Sequence, residues 1–336
     1  MLALDIGHPR MGGGRYEIAD MVRVARQAER AGLDAICMPE NAAIEEGWDA
    51  FTPLTAIALA TKKILLSTSI VSIYTRTPII TAKTAAALDQ ISRGRLILGL
   101  GRGVTSALEA EGIASGKPLT RMREFVQIVR QLLRTGAGPY SGDVLRLGAS
   151  LQLGFRPYRK AIPIYLGAAG PKMLRLAGRI ADGVYLPTIG GRIAGFLQDA
   201  VETIAEGAKS AGRDPAEVKV IRSVYISVAR DPDTARLRIS DFMLYHLAQP
   251  NLDAVIGQTK FAREIGEIRL RMRRGDRAGA LGLITPEMAD SFAIYGTVSH
   301  CRKELARTLP AGIAGTRLMP VGRTTIQALE SAIRLA

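Results

Sequence analysis

The chain reads as an α/β protein whose strands close a TIM (β/α)8 barrel, and three observations carry that reading. Short apolar, β-branched runs alternate with amphipathic helical patterns along nearly the whole length, which makes a parallel sheet covered by helices. The strand-like runs number eight, at 2–6, 34–38, 64–71, 95–100, 162–166, 183–186, 218–228 and 316–321, and eight strands close a barrel. Eight such units in one chain of 336 residues fit a single barrel better than two open sheets.

In the first run Leu2, Leu4 and Ile6 alternate with Ala3, Asp5 and Gly7, so Asp5 ends the strand on the small-residue face. In a barrel that end carries the chemistry, although an arginine neutralising Asp5 or a loop cap would explain it as well. The next helix repeats Ile18, Met21, Val22 and Ala25 at spacings of three and four. Glu40 and Asn41 follow the second run and 69–74 ends the third, which puts further polar groups on the same rim. The fourth run, "GRLILGLGRG", ends in Gly99, Gly101 and Gly103. It lacks the third glycine of a dinucleotide fingerprint at the required offset and does not belong to a first βαβ unit. "GIASGKPL" is one residue short of a P-loop and has Pro118 where a magnesium-holding Ser or Thr belongs.

The helix over 120–135 carries one apolar stripe, Met122, Phe125, Val126, Val129, Leu132 and Leu133. Residues 136–161 form a Gly-rich excursion whose "YSGDVLRLG" predicts a hairpin-like loop. The fifth run stops at Gly167, Ala168, Ala169 and Gly170, and Pro171 then suits a first helical turn. Free N–H groups and a positive dipole end there suit a phosphate, while an ordinary tight strand-to-helix turn would use the same glycines. Residues 231–310 hold several helical patterns broken at Pro250, Gly275 and Pro286. They read as a helical insertion between strands seven and eight of one domain spanning 1–336. The last helix repeats Ile326, Leu329 and Ile333.

Hydrophobic residues make up 47% of the chain and charged ones 23%, enough for a large core. No apolar run approaches the roughly 20 residues that span a bilayer, and no leader pattern opens the sequence, so a cytoplasmic protein without a membrane partner is expected. Cys37 and Cys301 stand in no paired motif, and the three histidines have no metal-ligand spacing, so neither a disulfide framework nor a metal is expected. The net charge of +14 asks for an anionic partner. Nucleic acid is disfavoured: the densest basic stretch, "REIGEIRLRMRRGDR" at 263–277, contains three acids and no aromatics. An anionic cofactor or substrate would use the same field.

Three stretches carry a family resemblance over nearly the full chain: "AERAGLDAICMPEN", "TKKILLSTSIVSIYTRTPIITAKTAAALDQISRGRLILGLGRG" and "PIYLGAAGPKMLRLAGRIADG". The chain resembles the bacterial luciferase-like oxidoreductases, and within them the methylenetetrahydromethanopterin reductase group, through Gly-Ala-x-Gly-Pro-x-Met-Leu at Gly167 to Leu174 and "EAEGI" after the fourth strand. The resemblance implies a luciferase-like TIM barrel with an insertion between strands seven and eight. It implies coenzyme F420, a deazaflavin with a phosphate and an acidic tail, with the phosphate at Gly167, Ala168, Ala169 and Gly170. A third-strand bulge with a non-prolyl cis peptide supports the ring in that family, and the matching bond is Ser69–Ile70, followed by Val71. Asp5 matches an acidic residue proposed to supply the proton, with a shorter side chain than the usual Glu. Glu40, Asn41, Gly101 and Arg102 complete the implied cofactor site.

This chain departs from the group in having Glu40-Asn41 for Asp-His, Ile73-Tyr74 for Asn-Pro, and an added charge at Arg102. These changes bear on a pterin-type substrate more than on the deazaflavin. The implied activity is hydride transfer between reduced F420 and a methylene-tetrahydropterin, in a homodimer or homotetramer. The alternatives are an FMN-dependent luciferase-like monooxygenase and a non-catalytic F420-binding protein.

Overall fold

The computed structural model describes residues 1–7, 16–40, 48–247, 253–307 and 310–336. Eight parallel strands form the barrel: β1 (Leu2–Asp5), β2 (Ala35–Met38), β3 (Leu65–Thr68), β4 (Leu96–Gly101), β5 (Ile164–Gly167), β6 (Gly183–Tyr185), β7 (Lys219–Val228) and β8 (Ile313–Pro320). Each strand pairs with the next in chain order, and the β8–β1 pairing closes the ring. The strands are short and buried on both faces, which is why they read as apolar runs rather than as alternation.

Register separates two cores. Leu4, Ile6, Ile36, Met38 and Leu66 face outward into the large cluster shared with the helices. Ala3, Ala35 and Cys37 face the lumen with Met1 and Leu65, and Ile97, Tyr165, Tyr185 and Ile221 fill the far side. The helix Ile18–Ala31 buries Met21, Val24, Ala25 and Ala28 and ends at Gly32 with φ 89°, a left-handed cap that glycine adopts without strain. Pro118–Thr135 buries the stripe that its spacing predicts.

The boundaries differ by three residues at one end of two strands and by no more than two elsewhere. β3 stops at Thr68, the Ser69–Ile70 peptide is cis, and Val71–Ser72 then pairs with β4 at Leu100 and Gly101. β8 begins three residues before its predicted start because Gly315, a poor strand former, sits against Met1, where a Cβ would meet the Met1 carbonyl oxygen at 2.4 Å. The excursion after Thr135 contains the antiparallel pair Tyr140–Ser141 and Arg146–Leu147. Its connecting turn is held by Glu124, whose carboxylate accepts the N–H groups of Asp143, Val144 and Leu145 at 2.7–3.0 Å.

Between β7 and β8 run helices Pro232–Leu247, Asp253–Ile256, Ala262–Arg273, Arg277–Gly282, Pro286–Phe292 and Val298–Arg307. The insertion is not purely helical: Ala293–Gly296 is a strand that extends β7 in parallel. The basic stretch lies largely on Ala262–Arg273, where Arg269 meets Asp253 at 2.7 Å and Arg271 meets Glu267 at 2.9 Å. No described helix is long and apolar enough to cross a membrane.

Candidate functional site

The C-terminal strand ends converge on a polar layer in the lumen. Register lines up Asp5, Cys37 and Ser67 across β1 to β3, and Ser223 with Arg317 across β7 and β8. Asp5 is fully buried. Its Oδ1 accepts the Gly7 N–H at 3.3 Å, and its Oδ2 accepts the Ser69 hydroxyl at 3.3 Å and lies 3.7 Å from the Arg317 guanidinium. The arginine that would neutralise Asp5 is therefore present, so the carboxylate is enclosed and held rather than displayed on the rim.

Arg317 donates from Nε to Ser223 Oγ at 3.0 Å and from Nη1 to the Ser69 carbonyl at 2.9 Å, and its guanidinium lies over the Tyr185 ring at 5.3 Å. The Tyr185 hydroxyl shares a 2.7 Å hydrogen bond with Ser67. Burial pushes the Cys37 thiol up to about 12, although the Arg317 charge opposes the shift, so Cys37 is an inert thiol in this layer. Near Asp5, the Tyr16 hydroxyl is buried and has no hydrogen-bond partner among the described residues. Burial, then the charges of Asp20 and Asp5, push this phenol above its ordinary range, so it stays protonated.

Sequence reasoning missed Arg317, Tyr185, Ser223 and Tyr16. For Arg317 a signal was available: a charged residue inside the apolar run Ile313–Pro320, in alternation with Gly315 and Met319.

The structure places the predicted cofactor residues unevenly. Ile70 lies between β4 and β5: a Cβ on Gly101 would approach its Cδ1 to 2.3 Å, and one on Gly167 its Cγ2 to 3.3 Å. The Ile70 carbonyl accepts the Glu40 N–H at 3.1 Å. The Glu40 carboxylate is closed in a two-pronged pair with Arg76 at 2.7–3.1 Å and also accepts the Ala50 N–H. Val71 likewise turns its side chain into the outer core. Asn41 lies outside the described residues. Ala168 cannot offer its N–H, which is bonded to the Tyr185 carbonyl at 3.2 Å.

The turn after β5 does offer donors. Gly170 caps the helix Pro171–Ile180, and among the described residues no acceptor takes the N–H groups of Ala169, Gly170 and Lys172. Gly170 has an ordinary φ of −83°, and a Cβ there would meet nothing within 4 Å. Nothing in the chain requires glycine at 170, and the space beside it is open. One residue past Gly101, Arg102 follows the strand that pairs with β5; among the described residues its guanidinium hydrogen-bonds only to Thr105 Oγ1. Three N–H donors at a helix start that no described residue accepts, with a guanidinium on the adjacent strand end bonded to one hydroxyl, fit a phosphate. Among the described residues no three His, Cys, Asp or Glu side chains gather as a metal site.

The family model described as luciferase-like monooxygenase matches residues 2–314. The chain belongs to this family. Among relatives, the 5,10-methylenetetrahydromethanopterin reductase of Methanolobus tindarius is 33% identical over 302 residues, 88% of each chain. A putative coenzyme F420-dependent oxidoreductase of Mycobacterium tuberculosis is 32% identical over 85% of this chain and 86% of its own. Among solved structures, the coenzyme F420-dependent tetrahydromethanopterin reductase of Methanopyrus kandleri superposes with a TM-score of 0.83 at 26% identity, covering 99% of this chain and 96% of that one. The eight-stranded parallel barrel of this chain is the luciferase-like TIM barrel.

Proposed function

We propose that the protein is an F420-dependent oxidoreductase that moves a hydride between the reduced deazaflavin and the methylene carbon of a methylene-tetrahydropterin. The observation that carries the cofactor reading is the turn after β5, where no described residue accepts the N–H groups of Ala169 and Gly170 and a Cβ on Gly170 would meet nothing within 4 Å. Relatives of similar length named as methylenetetrahydromethanopterin reductases support the pterin.

When bound, F420 supplies a hydride at carbon 5 of its deazaflavin ring. The chain's residues supply the rest. Ala169, Gly170 and Lys172 would hold the phosphate by backbone N–H groups, with Arg102 adding charge. Ile70, fixed against Gly101 and Gly167, would form the wall against the ring. Asp5 would hold the proton the reaction needs: once protonated it would donate to Ser69 Oγ, and the Ser69 hydroxyl, its hydrogen turned away from Asp5, would pass a proton to the substrate side. Burial of this layer keeps water from the reacting atoms.

Oligomerisation belongs to the same reading. The adjacent helices Phe51–Ala60 and Pro78–Ser92 contain only Lys83 and Asp89 as charged residues, and Asp89 is buried against Arg159. We propose that this neutral face makes a homodimer of single-domain subunits.

The cofactor site is tested by binding. Gly170→Ala should cost the fold about 1 kcal/mol or less as a cap change, yet weaken F420 binding tenfold or more by filling the open space. Arg102→Met should weaken binding and flatten its salt dependence. Unchanged affinity in both variants would move the phosphate elsewhere.

A further inference from the structure

We propose that Arg317 is a positioning residue for the cofactor site, acting through the Ser69 carbonyl. It does not touch a ligand itself, since it is 8% exposed within the lumen. Its reach is what singles it out. From β8 it contacts groups on or next to four other strands: Asp5 on β1, the Ser69 carbonyl after β3, Tyr185 on β6 and Ser223 on β7.

A buried guanidinium is costly to desolvate, and a well-packed apolar side chain commonly stabilises a fold at least as well. The geometry of these contacts gives the charge a use. Ser69 is tied on both sides, its N–H to the Met38 carbonyl at 2.9 Å and its own carbonyl to Arg317. The next residue, Ile70, sits against Gly101 and Gly167 at the edge of the phosphate-binding turn. Arg317 thus sets where Ile70 stands, and Ile70 borders the site. The planar fork matters as well as the charge, because Nε and Nη1 serve Ser223 and Ser69 at once.

The inference rests on the F420 reading, and one experiment separates the two. Wild type, Arg317→Met, Arg317→Lys, Ser223→Ala and the double variant Asp5→Asn/Arg317→Met are titrated with oxidised F420 by absorbance, and the Tm of each is measured without ligand. No binding by wild type overturns the F420 reading, and the inference with it. With wild type binding, Arg317→Met should bind at least tenfold more weakly. The double variant should regain Tm, because no buried carboxylate is left unpaired, without regaining affinity, because the Ser69 carbonyl still lacks its donor. Arg317→Lys should fold, bind several-fold more weakly and shift the visible band of bound F420. If Arg317→Met does not fold, Arg317→Lys and Ser223→Ala decide the matter by affinity and bound spectrum. Wild-type affinity and spectrum in the single variants, or affinity that returns together with Tm in the double variant, would overturn the inference and leave Arg317 a structural ion-pair partner.

Discussion

Tyr16 shows how a single atom separates folding from function. Its hydroxyl is buried without a partner among the described residues, an arrangement that costs free energy because water would have satisfied it. Tyr16→Phe removes that atom and nothing else, so the unliganded variant should be as stable as wild type or more stable by up to about 1 kcal/mol. Thermal or urea unfolding checks this, and a loss beyond about 1 kcal/mol would mean the hydroxyl has a partner in the free protein. Asp5 illustrates the opposite case: its carboxylate is surrounded by Gly7, Ser69 and Arg317. Its position at a strand end was legible from alternation in the first run. Its enclosure was not, because Arg317 lies more than three hundred residues away along the chain.

At the scale of elements, the Tyr140–Leu147 hairpin depends on one side chain of the helix Pro118–Thr135. Burial raises the Glu124 pKa, but three backbone N–H bonds to its carboxylate outweigh that, and the net shift is downward. A lowered folded-state value means that this stabilisation is present above the ordinary carboxylate range, about 4.3. It is lost as pH falls through the still lower folded-state value. Glu124→Gln should destabilise the protein by about 1–3 kcal/mol at neutral pH by leaving buried donors unsatisfied, and should lessen the loss of stability in acid. Equal acid profiles for variant and wild type would contradict this.

The elements were largely legible because apolar runs and helical spacing are local signals. All eight barrel strands fall where the runs are, and Pro286 stands where it breaks the insertion. What escaped was non-local. Ala293–Gly296 is a strand because β7 is long enough to pair with it, which no window of sequence contains. Glu40 follows β2 as read, but its carboxylate is occupied by Arg76, thirty-six residues on. The turn at Gly167–Gly170 was readable in position and in its glycines. Which N–H groups remain available was fixed by Tyr185 on the next strand.

For the whole molecule, charge and neutrality are arranged unevenly. A chain that is 23% charged with a net +14 leaves one pair of adjacent helices almost without charge. On that face Leu59 is 76% exposed and Ile80 50% exposed. A two-fold interface places the same residues on both subunits, so Leu59→Glu/Ile80→Glu would set like charges together. Light scattering should report a dimer for wild type and a monomer for the double variant. A monomeric wild type, or a dimeric variant, would place the interface elsewhere or remove it.

The positive field also favours F420, which carries a phosphate and an acidic tail. The most direct measurement is titration of the purified protein with oxidised F420 and, separately, with FMN, at several salt concentrations. Saturable F420 binding that weakens as salt rises, with FMN bound far more weakly, is the predicted result. Preferential binding of FMN would contradict the account and turn this barrel toward oxygen-consuming chemistry.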